Sequence, residues 1–134
     1  MPVEWNQATV MAAVRRGAVR GVMIGATLVH ERGTHLILTP PKTGRVYPRR
    51  GVRHQASAPG EAPASDTGRL AASGQVMLDA GNVAAHVNWS TKYARPLELG
   101  TEKMAARPYA RRALTEMRNQ IQAAIVFEIE REFR

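Results

Sequence analysis

The sequence predicts an α+β fold: long N-terminal and C-terminal helices packed on a small antiparallel β-sheet, with a long basic loop or hairpin between the first helix and the sheet. Three observations predict it. Apolar residues recur at helical spacing near both ends of the chain. Two runs with strand-like patterning flank the turn-forming Ala80-Gly81-Asn82. Between the first helix and that pair, the composition changes to Pro, Gly, Arg and Ala. The 134 residues suit one domain, residues 1–134, with residues 40–63 as its extended basic loop, and no internal repeat or clear boundary divides it.

The first helix is expected from about Trp5 to Glu31. Val10, Val14, Ala18, Val22 and Val29 keep close to one face, and Arg15, Arg16 and Arg20 lie together on another. Asn6 suits the N-cap, and Gly33 suits the C-terminal stop. Ala13, Gly17, Gly21 and Gly25 recur every four residues and form a ridge without side chains. Glycine inside a helix costs about 1 kcal/mol relative to alanine, so the ridge predicts close approach of another helix or sheet. That partner comes from the same chain or from a neighbouring subunit. A membrane dimer motif is excluded by the arginines on the same helix and by the shortness of the uncharged run Gly21–Val29.

His35–Thr39 reads as a short strand that Pro40-Pro41 ends. Within Pro40–Pro63, Tyr47 and Val52 are the large apolar anchors, and Val46–Tyr47 pairs with Val52–His54 as a hairpin around Arg49-Arg50-Gly51. Asp66 is expected to cap a short helix, Thr67–Ser73, with Leu70 turned inward. Gln75–Asp79 and Val83–Trp89 form the second hairpin. In it Val76 and Leu78 share a face, as do Val83, Ala85, Val87 and Trp89, while His86 and Asn88 point away. Pro108, at a first-turn position, opens a last helix that runs to about Phe133, with Leu114, Met117, Ile121, Ile125 and Ile129 as its core stripe.

The net charge of +8 is uneven. Residues 1–58 carry nine Lys/Arg against Glu4 and Glu31, leaving +7, whereas residues 59–134 carry ten against nine acids, leaving +1. Lys42, Arg45, Arg49, Arg50 and Arg53 fall together with no acid until Glu61, which makes them candidates for phosphate contact without base readout. A solvated loop whose charges only keep it in water is the other reading. No secretory signal and no membrane span is visible, so a protein made in a cytosol is expected. There is no cysteine, which excludes disulfides and thiolate metal sites. His30, His35, His54 and His86 lack metal-ligand spacing, no serine has a nucleophile motif, and no phosphate-binding glycine loop is present. Glu98 and Glu102 lack surroundings that suggest a pKa-shifting pocket. No enzyme, metal or cofactor is expected.

Three ordered stretches carry a more specific signal. They are Ala58-Pro59-Gly60-Glu61-Ala62-Pro63 with Asp66-Thr67-Gly68-Arg69-Leu70; Tyr93-Ala94 with Leu97-Glu98-Leu99-Gly100-Thr101; and Ala106-Arg107-Pro108-Tyr109 with Ala113-Leu114 one turn on. In order and spacing they resemble the neck-protein family of tailed phages, the head–tail joining or tail-completion type. The N-terminal helix adds no diagnostic motif. The resemblance implies a non-enzymatic virion protein at the head–tail interface, made in the bacterial host cytoplasm. It implies a ring of six subunits around the DNA channel, between head-closure or adaptor proteins and tail-terminator or tail-tube proteins. Tail-terminator and head-closure roles stay open, as does a free-standing nucleic-acid-binding protein of another class. Lys42, Arg45, Arg49, Arg50 and Arg53 are then candidate DNA-channel contacts. Gly17, Gly21, Gly25, Tyr93, Glu98, Arg107 and Tyr109 are candidate subunit-interface residues.

Overall fold

Helix α1 (Gln7–Leu38) is the axis along which the other elements lie. The computed structural model describes residues 6–39 and 42–134, so the expectations for Trp5 and for Pro40-Pro41 lie outside the described residues. Asn6 caps α1 as its position predicts: its backbone is extended, and Oδ1 accepts the Thr9 N–H at 3.1 Å.

The helix does not stop at Gly33, and His35–Thr39 is not a strand; both expectations are corrected. Leu36 and Ile37 are buried in the same cluster as Val29, so the helical burial pattern continues through the glycine. Gly33 serves clearance instead, since a Cβ there would lie 2.6 Å from the Trp89 ring. Thr39 ends the helix with an extended backbone (φ −113°, ψ 150°), as the residue before a proline prefers.

After α1 come the hairpin β1 (Val46–Arg49) and β2 (Val52–Gln55), the short helix α2 (Arg69–Ala72), and a second hairpin, β3 (Gly74–Asp79) and β4 (Ala84–Trp89). Helices α3 (Ala94–Leu99) and α4 (Ala110–Arg131) complete the chain. The fold is α+β, and its antiparallel pairing forms two two-stranded sheets, β1–β2 and β3–β4.

Helix α4 runs antiparallel to α1 along the glycine ridge. Cβ atoms added at Gly17, Gly21 and Gly25 would meet Glu128 O at 2.6 Å, Ile125 Cα at 2.5 Å and Ile121 Cγ2 at 2.9 Å. The ridge therefore allows backbone to approach backbone. Arginines and carboxylates close its flank: Arg20 Nε donates to Glu128 at 2.8 Å, and Arg20 and Arg16 reach Glu132 at 2.7 and 3.1 Å. The Arg20 guanidinium beside Glu128, whose side chain is 6% exposed, holds that carboxyl below its usual range.

The β3–β4 hairpin lies along another face of α1. Arg15 donates to Ala80 O and Gly81 O at its tip, and His30 stacks on Trp89 at its base (5.9 Å, 16°). Trp89 also meets Tyr109 edge-on at 5.2 Å, and such aromatic pairs contribute about 0.5–1.5 kcal/mol beyond area burial. Leu70, Ala71, Ala94 and Ala113 fill in around them.

Several boundaries differ from expectation. Asp66 is no helix cap: it pairs with Arg49, and α2 starts after Gly68, which is left-handed at φ 76°. Val83 is also left-handed (φ 49°), so β4 begins at Ala84. Pro108 lies just before α4, whose Leu114 is exposed outside the core stripe. The stretch after the second hairpin contains α3, and its Leu97 packs on the core. The chain exposes 9128 Å² for 14.7 kDa, against roughly 6,900 Å² for a folded monomer of that mass.

Candidate functional site

The β1–β2 hairpin carries the basic run. Its register pairs Val46 with Gln55 and Arg49 with Val52, leaving Arg50-Gly51 as a two-residue turn. Both turn residues have positive φ, 52° and 77°, as a type I′ connection requires. Gly51 adopts this freely. Arg50 does not, because an L side chain in the left-handed region costs roughly 1–2 kcal/mol. Arg45, Arg50 and Arg53 are exposed, and among the described residues none has a carboxylate within 4.0 Å.

Alternation places Tyr47, Arg49, Val52 and His54 on one face of the hairpin and Val46, Pro48, Arg53 and Gln55 on the other. Tyr47, Arg49 and His54 line a cavity of about 490 Å³ whose far side is the Pro63–Leu70 segment with Tyr93, Leu97 and Arg107. Arg49, Arg50, Arg69 and Arg107 reach this cavity, with Asp66 as the acidic member. Arg49 pairs with Asp66 across it, and Tyr47 packs edge-on against His54 at 5.4 Å. Guanidinium groups arranged this way present hydrogen-bond donors to an anion. Among the described residues no three His, Asp or Glu converge on a metal position.

The three signature stretches meet beside this cavity. Gly60 N–H donates to Ala106 O at 3.1 Å, Arg107 N–H to Leu97 O at 2.6 Å, and the Arg107 guanidinium to Ser57 O at 3.2 and 3.3 Å. Glu98 accepts the N–H groups of Tyr109, Ala110 and Arg111 at 2.8, 3.0 and 2.9 Å. It is thus a cap for α4 supplied from another helix, at the end where negative charge is favoured. Glu61 accepts the Thr43 hydroxyl and the N–H groups of Thr43 and Ala58, which hold its carboxyl down to about 2, the hydroxyl contributing most. Tyr109 O–H donates to Ala94 O at 3.2 Å, and burial, with the charge of Glu98 behind it, pushes the phenol up to about 12.

These contacts relocate many of the candidate residues. Lys42 Nζ donates to Leu36 O and Ala62 O, both at 2.8 Å, so it closes the end of α1 against the loop instead of facing a phosphate; burial pushes its pKa down. Arg49 is held by Asp66, which leaves Arg45, Arg50 and Arg53 as the outward cations of the run. Gly17, Gly21 and Gly25 are covered by α4 of the same chain. Glu98, Arg107 and the buried Tyr109 are engaged inside the protomer, whereas Tyr93 is 44% exposed. The ion pairs joining α1 to α4 were missed from the sequence, although Arg16/Arg20 and Glu128/Glu132 share an i,i+4 spacing that permits them.

An α+β protein with a strained basic hairpin and an internally tied signature segment is therefore the class that fold and site define. No helix among the described residues is long and apolar enough to cross a membrane. No protein-family model, curated protein or solved structure matches the chain.

Proposed function

We propose that this chain is a non-enzymatic neck or tail-completion subunit of a long-tailed phage. In this reading it forms a ring between head-closure and tail components and surrounds the genome channel. The observation that carries the reading is the convergence of three stretches far apart in sequence, Ala58–Glu61, Leu97–Glu98 and Ala106–Arg111, into one hydrogen-bonded unit. They behave as a single structural signature. A ring also gives a use to the large exposed surface and to apolar residues left outside, such as Leu114, Val126 and Phe133. Arg45, Arg50 and Arg53 would face DNA or a neighbouring ring, and repetition around a ring multiplies their field.

Tail-terminator and head-closure positions in the same virion are the neighbouring assignments. The unpaired hairpin cations also support a second class, a free-standing protein that binds nucleic acid without sequence preference. Native mass spectrometry of the chain, together with reconstruction of a whole particle, separates the classes. A closed ring stacked on portal or tail components is the expected result. A stable monomer that binds duplex DNA with a steep salt dependence and never joins a particle refutes the ring.

A further inference from the structure

We propose that a second copy of this chain docks the exposed face formed by Val126 and Glu130 of its α4, with Phe133 just beyond the helix, into the apolar groove between α1, β4 and α4. The proposal rests on the ring reading and specifies the contact that builds the ring. The groove measures about 650 Å³. Val22, Ala26 and Val29 form its floor, Leu114 and Ile121 one wall, and the β4 segment around Val87 the other.

Three properties select the occupant. Val126 and Glu130 follow i, i+4 spacing and share one side of α4, and Phe133 lies in the turn that ends it; Val126 and Phe133 are 53% and 55% exposed, enough to act as apolar knobs. The charges also match. Arg111 lines the groove and Arg118 lies one turn beyond Leu114; both are exposed, and among the described residues neither has a carboxylate partner. Glu130 sits at the centre of the docking face, and its ion pair within the chain is a 4.0 Å contact with the exposed Arg134. Finally, the chain as a whole exposes surface that neighbours can cover. The surface of 9128 Å² exceeds the size scaling by roughly 2,200 Å². A subunit with two neighbours at standard interfaces hides about 1,600 Å² of its own surface.

Groove and docking face are separate parts of one chain, offset by about 18 Å along α4 between Leu114 and Val126 at helical rise. The contact is therefore heterologous, and repeating it closes a ring or extends a filament.

The chain has no cysteine, so introduced thiols report this contact cleanly. Leu114→Cys and Val126→Cys variants, mixed and treated with a short bis-maleimide, are expected to give mainly the mixed dimer. The double variant should give a ladder. Glu130→Arg and Arg118→Glu should each weaken self-association by roughly tenfold, and combining them should restore it. Oligomers in native mass spectra without the mixed product, or with Leu114→Cys coupling mainly to itself, overturn this contact and leave the ring reading standing. A chain that is monomeric at every concentration and never cross-links overturns both.

Discussion

Replacing Gly21 with alanine tests how α1 and α4 are held together. In an unpacked helix the change stabilises by about 1 kcal/mol. Here the new Cβ would lie 2.5 Å from Ile125 Cα and 3.1 Å from its Cγ1. Carbon atoms are comfortable at about 3.5–4.0 Å, so α4 must withdraw by about 1 Å. The nearest atom is backbone, and no change of rotamer removes the clash. Overpacking of this kind costs about 1–3 kcal/mol, and withdrawal of α4 also loosens the Arg20–Glu128 pair, which places the cost toward the upper end. Net destabilisation of about 1–2 kcal/mol remains after the propensity gain, lowering Tm by roughly 3–8 °C for a chain of this size. Circular dichroism during thermal and urea unfolding reads this directly. Gly81→Ala is the control, because its nearest neighbour, Asp79 Oδ1, is 3.6 Å away, and a change within about 0.5 kcal/mol is expected. A Gly21→Ala monomer with unchanged or raised Tm refutes the intrachain packing, since a ridge facing another subunit would show its cost only in assembly.

Other outcomes follow from the same contacts. Arg50→Asn should stabilise the hairpin by about 1 kcal/mol in urea unfolding while weakening binding to duplex DNA; loss of stability contradicts the strained-turn argument. Neutralising Arg45, Arg50 and Arg53 together should leave the fold intact and impair assembly or DNA retention, whereas full particles with normal genomes count against a role for the hairpin. Glu98→Ala should cost about 1–2 kcal/mol and Glu98→Gln less, because an amide oxygen still accepts N–H bonds; equal losses reject the capping assignment. Glu61 has a folded pKa of about 2 against an ordinary 4.5, so its stabilisation is present above 4.5 and lost as pH falls toward 2. Acid titration of stability should therefore be flatter for Glu61→Gln, and an unchanged acid limb sinks the idea.

The fold was legible where local pattern and packing agreed. Asn6 and the two hairpins follow from capping and turn chemistry that needs no distant partner, although Arg49, expected in the first turn, belongs to β1. Gly33 misled because a glycine after a helical run has two physical meanings, termination and clearance, and only the position of Trp89 decides between them. Lys42 misled in a similar way. Its neighbours in sequence are cations, but its partners are carbonyls of Leu36 and Ala62, 6 and 20 residues away. Charge runs report composition, whereas which member of a run turns inward depends on the closure of a loop. The Glu128 and Glu132 contacts to Arg16 and Arg20 were hidden by separations above 100 residues, despite spacings that permit them.

The signature stretch and the hairpin carry different kinds of information. Glu98, Arg107 and Tyr109 each find acceptors or donors inside the chain, and these contacts account for their chemistry. A motif of this sort specifies a scaffold, and its presence says little about what the scaffold touches. Arg50 is the opposite case. It occupies a strained backbone position, its side chain is exposed, and among the described residues no carboxylate answers its charge. Asparagine or glycine would serve the turn better, so the folded chain alone gives no reason for arginine there. An anionic neighbour outside the protomer is the partner we propose for it. Grafting the Val46–Gln55 hairpin onto an inert two-stranded scaffold tests that proposal: affinity of the graft for duplex DNA, lost on Arg50→Asn, supports the contact, and a graft that binds no better than the bare scaffold counts against it.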